Sequence, residues 1–166
     1  MHHMQNKERM GSQRSGNTGF RGDIMKSNKD ILASVLKTAQ MGQTGIRSVM
    51  KAKPSEGLKQ ALDSQKDEYN AIEAEAQAIA NRRGWVLPEL PFMAKAMSDM
   101  MSRAMLMYDG SDSKIAAMTI QGNMRGVIKG LKNQHRYAGK DPGISELAQK
   151  LLDCENENIR QMEAYL

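Results

Sequence analysis

The stretch from Ser113 to Lys140 constrains the fold more than any other part of this sequence, because it contains no aspartate or glutamate. Its basic residues recur at the i, i+4, i+7 spacing that places side chains in one row along a helix. The basic row consists of Arg125, Lys129, Lys132 and Arg136. A neighbouring apolar row consists of Ile120, Met124, Val127 and Leu131. The pattern predicts an amphipathic helix.

Three glycines lie in the same stretch, at Gly122, Gly126 and Gly130. Their spacing places them on one side of the predicted helix, where the lack of side chains permits close approach to a neighbour. That neighbour is either another helix of the same chain or a second copy of the protein. Gly42 and Gly45 lie within another predicted helix and indicate close approach there too.

The composition favours helices over sheet. Aromatic residues make up only 4% of the 166 residues, whereas there are 15 methionines, so the core must be aliphatic and Met-rich. Sheets need more β-branched and aromatic residues. The length suits one domain, and the lone Cys154 excludes an internal disulfide. We expect an all-α fold.

The charge and hydropathy patterns limit the partners. A net charge of +5 permits weak anion binding without requiring it. No apolar window is long enough for a membrane span, and the N-terminus lacks the apolar run of a secretory signal. We therefore expect a cytoplasmic protein without a membrane partner.

The chain divides into a polar tail and a helical domain. Residues 1–27 have no apolar period and are expected to be a flexible tail; His2 and His3 are either a tag remnant or a chance pair. Residues 28–166 form the domain. Five helices are predicted: from Asp30 to before Pro54, from Ser55 to Gly84, from Pro91 to Tyr108, within Ser113 to Lys140, and from Ile144 to the C-terminus. Asn28 or Asp30 is expected to cap the start of the first helix, and Gly84 the end of the second.

The first and second halves of the domain resemble each other. At constant offsets Leu62, Asp63 and Gln65 match Leu152, Asp153 and Glu155, and Gln40, Gly45 and Lys51 match Gln121, Gly126 and Lys132. We interpret this as a duplicated helical hairpin. The Met-rich helix between the hairpins, from Pro91 to Tyr108, suits either flexible packing or an adaptable partner-binding groove.

This arrangement resembles the ferritin-like superfamily, in particular small bacterial members of unknown function. The resemblance covers residues 28–166 and depends on the helix order, the crossover, the two hairpins and the stretch from Met101 to Leu131. It implies a four-helix bundle of two antiparallel hairpins with a short fifth helix in the crossover.

The resemblance also implies where a metal site would lie. Metal-binding members take a Glu from each of two long helices and a Glu-x-x-His from each of the other two. The equivalent pairs here are Gln65-x-x-Glu68 and Glu155-x-x-Asn158, both without histidine, and the other two helices offer no carboxylate. We expect no metal and no cofactor, but a degenerate site that forms a polar core layer or a small-ligand site. Its predicted members are Gln43 or Gln40, Gln65, Glu68, Gln121 or Asn123 or Met124, Glu155 and Asn158.

No catalytic constellation or phosphate loop appears in the sequence. We therefore expect a non-enzymatic protein with a structural or protein-interaction role, acting through an unknown partner or by self-association as a dimer. The main alternative is nucleic-acid or anion binding through Arg125, Lys129, Lys132 and Arg136. A metal-dependent oxidase with atypical ligands is suggested only by the superfamily resemblance.

Overall fold

The computed structural model describes residues 24–91, 100, 103–107 and 109–166. Four long helices dominate that part of the chain: α1 (Asn28–Met50), α2 (Glu56–Arg82), α3 (Asp112–Arg136) and α4 (Pro142–Glu163). The predicted all-α class is confirmed. A short helical stretch covers residues 103–107, but most of the predicted Met-rich helix lies outside the described residues.

The helices pack as two antiparallel hairpins, α1 with α2 and α3 with α4. The Ser55 backbone N–H, just before α2, donates to Asp112 Oδ1 at the start of α3, at 3.0 Å. Arg83, just after α2, forms an ion pair with Asp141, just before α4. Helices α2 and α3 therefore begin at the same end of the bundle, and the connection between them spans its length.

Local sequence signals set the ends of α1 and α2. The Ser27 hydroxyl accepts a hydrogen bond from the Asp30 backbone N–H, and the Asp30 carboxylate accepts one from the Ser27 N–H at 2.9 Å. This reciprocal capping box makes Ser27 the N-cap, so the prediction of Asn28 or Asp30 as the cap is wrong. Gly84 has a φ of 65°, which fits its predicted place after α2.

The segment before α1 pairs with the segment after α3. The Lys26 backbone N–H donates to the Arg136 carbonyl at 2.6 Å, and the Ala138 N–H donates to the Lys26 carbonyl at 2.9 Å. Lys26 Nζ donates to Asn133 Oδ1 at 2.8 Å. Lys26 and Ser27 thus belong to the folded part, whereas residues 1–23 of the predicted tail lie outside the described residues.

The apolar core comes mainly from α1, α2 and α4. Of the large aliphatic side chains, α3 buries only Ile115. The remaining buried side chains of that helix are small or polar: Ala116, Thr119, Asn123 and Asn133. The largest fully buried aliphatic side chains are Leu32, Leu36, Leu58, Leu62, Ile72, Ile115, Ile144 and Leu147.

The apolar row predicted on α3 is therefore not the buried face of that helix. Met124 is 50% exposed and Leu131 is 44% exposed, while Ile120 and Val127 are partly buried. The helix turns its glycine and amide side toward the core instead. The physical reason is that large side chains of α2 and α4 reach toward α3, which leaves room only for small residues opposite them.

Candidate functional site

A hydrogen-bonded cluster lies in the core between α2, α3 and α4. The Tyr69 hydroxyl lies 2.8 Å from Asn123 Oδ1 and 3.2 Å from Glu155 Oε2. Asn158 Nδ2 donates to the same Asn123 oxygen at 3.1 Å. All four side chains are buried, and Glu155 is only 2% exposed. Among the described residues, Glu155 is the one buried carboxyl group.

The proton on Glu155 decides how this cluster is connected. Burial raises the pKa of Glu155 to about 7, against a smaller opposing effect of the Tyr69 hydrogen bond and the Lys129 charge. Burial also raises the pKa of Tyr69, so that its single proton stays in place. A protonated Glu155 can donate to Tyr69, which then donates to Asn123. An ionised Glu155 accepts the Tyr69 proton, and Asn123 loses that donor.

The structure places the six predicted polar residues in different surroundings. Gln43, Gln65, Glu155 and Asn158 are buried, but Glu68 and Gln121 are exposed, so the prediction of one buried layer is wrong for these two. Glu68 lies at the outer edge of α2 and accepts a hydrogen bond from Cys154 Sγ at 3.0 Å. Gln121 lies on the side of α3 that lines a groove toward α1.

The buried glutamines lie apart from the cluster. The Gln43 side chain donates to the Glu73 carboxylate on α2. Gln65 Nε2 donates to Gln161 Oε1 at 2.9 Å, and Gln65 Oε1 is buried without a hydrogen-bond partner among the described residues. Sequence reasoning missed Tyr69, because it fits the apolar row of its helix. Asn123 was an open alternative to Gln121.

Two glycines make the cluster possible. A Cβ built on Gly42 would lie 2.5 Å from ring carbons of Tyr69, and one built on Gly126 would overlap the carboxylate of Glu155. The predicted close approach is confirmed at both positions, and at Gly126 it occurs within the chain. It is wrong at Gly45 and Gly122, where a Cβ would meet nothing within 4 Å.

Adding one methyl group should separate the tight glycines from the open ones. We expect Gly126→Ala to lower the free energy of unfolding by about 1 to 3 kcal/mol, because the methyl displaces the buried Glu155 carboxylate. We expect Gly122→Ala, on the same helix, to raise it by up to about 1 kcal/mol through helix propensity, since its Cβ would meet nothing within 4 Å. Urea unfolding of both variants measures the difference, and equal changes would contradict the packing described here.

A groove runs between α1 and α3 and reaches the cluster. Its volume is about 390 Å³, within the range of small-molecule sites. One end is polar, with Thr38, Arg125 and Lys129, and Glu155 lines the same groove. The other end is apolar and is lined by Ile46, Val49, Met105 and Met118. A second cavity of about 200 Å³ shares the Glu155 side chain as part of its wall.

No protein-family model, curated protein or solved structure matches this chain. Helices that are both long and apolar enough to cross a membrane are also absent from the described part of the chain.

The predicted basic row does not lie on one solvent-facing side of α3. Arg125 and Lys132 are exposed, but Lys129 and Arg136 are partly buried. Lys129 lines the groove, and burial together with the positive charges of Lys37 and Lys26 lowers its pKa. Arg125 and Lys129 both line the groove, whereas Lys132 lies outside its lining.

The residues present do not fit a di-iron centre. Such a centre uses four carboxylates and two histidines, whereas the cluster holds Glu155 alone among amides and a phenol. In the residues that the structure describes, no three His, Cys, Asp or Glu side chains are grouped so that they could hold a metal ion.

Burial and the bond to Glu68 raise the pKa of Cys154, which keeps it a thiol and a weak nucleophile at neutral pH.

Proposed function

We propose that this chain is a non-enzymatic bundle protein of the ferritin-like architecture that binds a partner protein through the outer surface of α3. One observation carries the proposal: apolar side chains that should be buried are exposed on that surface. Met124 is 50% exposed, Ile128 51% and Leu131 44%. These three residues, with the partly buried Ile120 and Val127 beside them, are called the α3 band below.

The course of the helices supports the architectural part of this proposal. The ferritin-like arrangement joins two antiparallel hairpins by one long crossover. Here the connection from residue 83 to residue 111 runs from the end of α2 back to the end of the bundle at which α3 begins. Under this proposal the cluster around Glu155 corresponds to the part of the bundle in which metal-binding members hold their ions.

The spacing of the α3 band suits a protein partner. Met124, Ile128 and Leu131 follow the i, i+4, i+7 pattern by which one helix face contacts another protein. Soluble monomers rarely leave a contiguous apolar surface exposed unless it has an interaction role. Methionine adds side-chain flexibility, which helps such a surface to adapt to its partner.

The charges beside the α3 band indicate an acidic partner surface. Lys132 is exposed next to Leu131 on the same helix, and no acidic residue occurs from Ser113 to Lys140. Two copies of α3 packed against each other would bring like charges together, which costs free energy. A different protein with an apolar and acidic helix face therefore fits better than a second copy of this chain.

Site-specific photo-crosslinking tests this function. With p-benzoylphenylalanine in place of Ile128 in the full chain, expressed in its native host, we expect one dominant protein adduct after irradiation. The crosslinked peptide should be apolar and acidic. The matched control has the same label in place of Asn70, an exposed residue of α2, and should not give that adduct.

A double substitution completes this test. Met124→Lys together with Leu131→Lys should abolish the adduct from position 128 without unfolding the protein, because both side chains are about half exposed and a lysine can extend into solvent. The same adducts from positions 128 and 70, or adducts that survive the double substitution, would refute the α3 band as an interface. An adduct between two copies of this chain would show that the α3 band mediates self-association and would refute the proposal of a different partner protein.

A further inference from the structure

We propose that the groove between α1 and α3 is a binding site for a small organic anion with an apolar body. The anionic head would lie at Arg125 and Lys129, and the body would extend toward Val49. This site lies on the side of α3 that faces α1 and is separate from the α3 band, so it does not depend on the function proposed above.

The polarity of the groove follows from the antiparallel course of its two walls. The C-terminal half of α1 faces the N-terminal half of α3, and there most of the lining is apolar, from Met41, Ile46, Val49, Met105 and Met118. The polar members of the lining in this half are Thr119, Gln121 and Asn123. Toward the C-terminal end of α3 and the N-terminal end of α1, the lining changes to Thr38, Arg125 and Lys129. A ligand that fills the groove lengthwise therefore meets an apolar end and a cationic end.

The cationic end lacks an opposing charge from its own two helices. No acidic residue occurs from Ile31 to Ser55 or from Ser113 to Lys140. Lys26 and Lys37 add their positive charges near the half-buried Lys129. An anionic head at this place would relieve their mutual repulsion, and bonds between charged groups in a partly desolvated site are stronger than those between neutral groups.

Glu155 lines the groove near this cationic end. Three groups face the Glu155 carboxyl: the Tyr69 hydroxyl from α2, Lys129 from α3 and Cys154 on the same helix as Glu155. In its protonated form Glu155 can donate a hydrogen bond to an anionic head, whereas its ionised form would repel the head. A carboxylate or phosphate head is therefore compatible with the neutral form of this side chain.

The open glycines are a further indication of a ligand. Gly45 and Gly122 both line the groove, and a Cβ built on either would meet nothing within 4 Å. Glycine within a helix costs about 1 kcal/mol relative to alanine, and packing within the chain does not require it at these two positions. Their lack of side chains keeps the groove wide enough for an occupant.

Isothermal titration with a series of head groups on one alkyl chain tests the proposal. Decanoate, decan-1-ol and decylammonium would be titrated, below their aggregation concentrations, into the full chain at pH 7. We expect decanoate to bind one site at least about tenfold more tightly than the other two, since one charge-assisted bond suffices for that factor. No binding of decanoate at millimolar concentration, or equal binding of decylammonium, would overturn the proposal.

Charge variants locate the head. Arg125→Gln with Lys129→Gln should weaken decanoate binding by about tenfold or more. Lys132→Gln removes the same charge from the same helix outside the groove lining and should leave the affinity unchanged. Equal losses in both variants would show only a general effect of net charge and would refute the assigned head position.

Filling the groove locates the body. Gly122→Leu should abolish decanoate binding while the melting temperature stays the same or rises, because the new side chain enters open space. Gly45→Leu repeats the test from the α1 wall if the first variant does not fold. Decanoate binding that persists in a folded variant would place the ligand elsewhere, and its loss in Ile128→Lys would assign it to the α3 band instead.

Discussion

Tyr69→Ala is expected to lower the free energy of unfolding by about 4 kcal/mol, as is usual when a buried aromatic side chain is truncated. The Tyr69 ring is 2% exposed and packs against Gly42, where no side chain could move in to fill the cavity. The same substitution removes the hydroxyl that joins Asn123 to Glu155. Urea unfolding at pH 7 measures the loss.

Two matched variants separate the contribution of the Tyr69 ring to stability from that of its hydroxyl. Tyr69→Phe keeps the ring and should cost about 1 to 2 kcal/mol, the usual price of a buried hydrogen bond. Tyr165→Ala, at a partly buried tyrosine near the C-terminus, should cost clearly less than Tyr69→Ala. If the two alanine variants lose equal stability, then Tyr69 is not the central packing residue that the structure indicates.

Glu155→Gln is expected to stabilise the protein by about 3 kcal/mol above pH 7 and to have little effect near pH 4. Burial raises the pKa of Glu155 from 4.5 to about 7 in the folded chain. Each unit of pKa corresponds to about 1.4 kcal/mol. The glutamine keeps a similar shape and can still bond to Tyr69, but it has no charge to bury.

The sign of the pH dependence follows from proton binding. Between pH 4.5 and about pH 7 the folded chain holds the Glu155 proton more tightly than the unfolded chain does. The contribution of this residue to stability therefore falls as the pH rises through that window and is constant above it. Glu155→Gln removes this decline, so its advantage over the parent protein should grow across the same window.

Chemical denaturation from pH 4 to pH 8 measures this advantage. Glu157→Gln serves as the control, because Glu157 is an exposed residue of the same helix and surface substitutions usually change stability by less than about 0.5 kcal/mol. A constant difference between Glu155→Gln and the parent protein at all pH values would show that Glu155 is not held in a desolvated site.

The helices could be predicted from the sequence because their signals are local. Apolar period, capping residues and the glycine after α2 each act within a few residues of the helix they shape. Asp30 shows the limit of such reasoning, since it was predicted as a possible cap and is instead the partner of Ser27 in a capping box. That distinction depends on the backbone conformation of a single residue.

The buried face of α3 could not be predicted in the same way. Its most apolar side includes Met124 and Leu131, and hydrophobic patterning alone directs that side inward. The observed face includes Asn123 and Gly126 because Tyr69 and Glu155 reach it from helices that are distant in sequence. The fit between a glycine and a carboxylate on another helix is a tertiary property, which periodicity within one helix does not contain.

The candidate site could be predicted only in part, because its contacts also join helices that are distant in sequence. The resemblance to the ferritin-like superfamily implied that Glu155 and Asn158 are core polar residues, and both are buried. The i, i+3 spacing of Gln65 and Glu68 is the same, but Gln65 is buried whereas Glu68 is exposed. The sequence therefore predicted which side chains could meet, while the packing of the helices determines which of them do.

The pairing between the Lys26 and Arg136 regions has a consequence for how freely this protein can change during evolution. Its two hydrogen bonds use only main-chain atoms, so they would persist if the Lys26 side chain, which also bonds to Asn133, were replaced. The Ala138 side chain takes no part in the link between the two hairpins. Proline is the exception at either position, because it lacks the N–H group that each bond requires. We expect natural variants to accept almost any other residue in place of Ala138, while proline stays excluded from both positions.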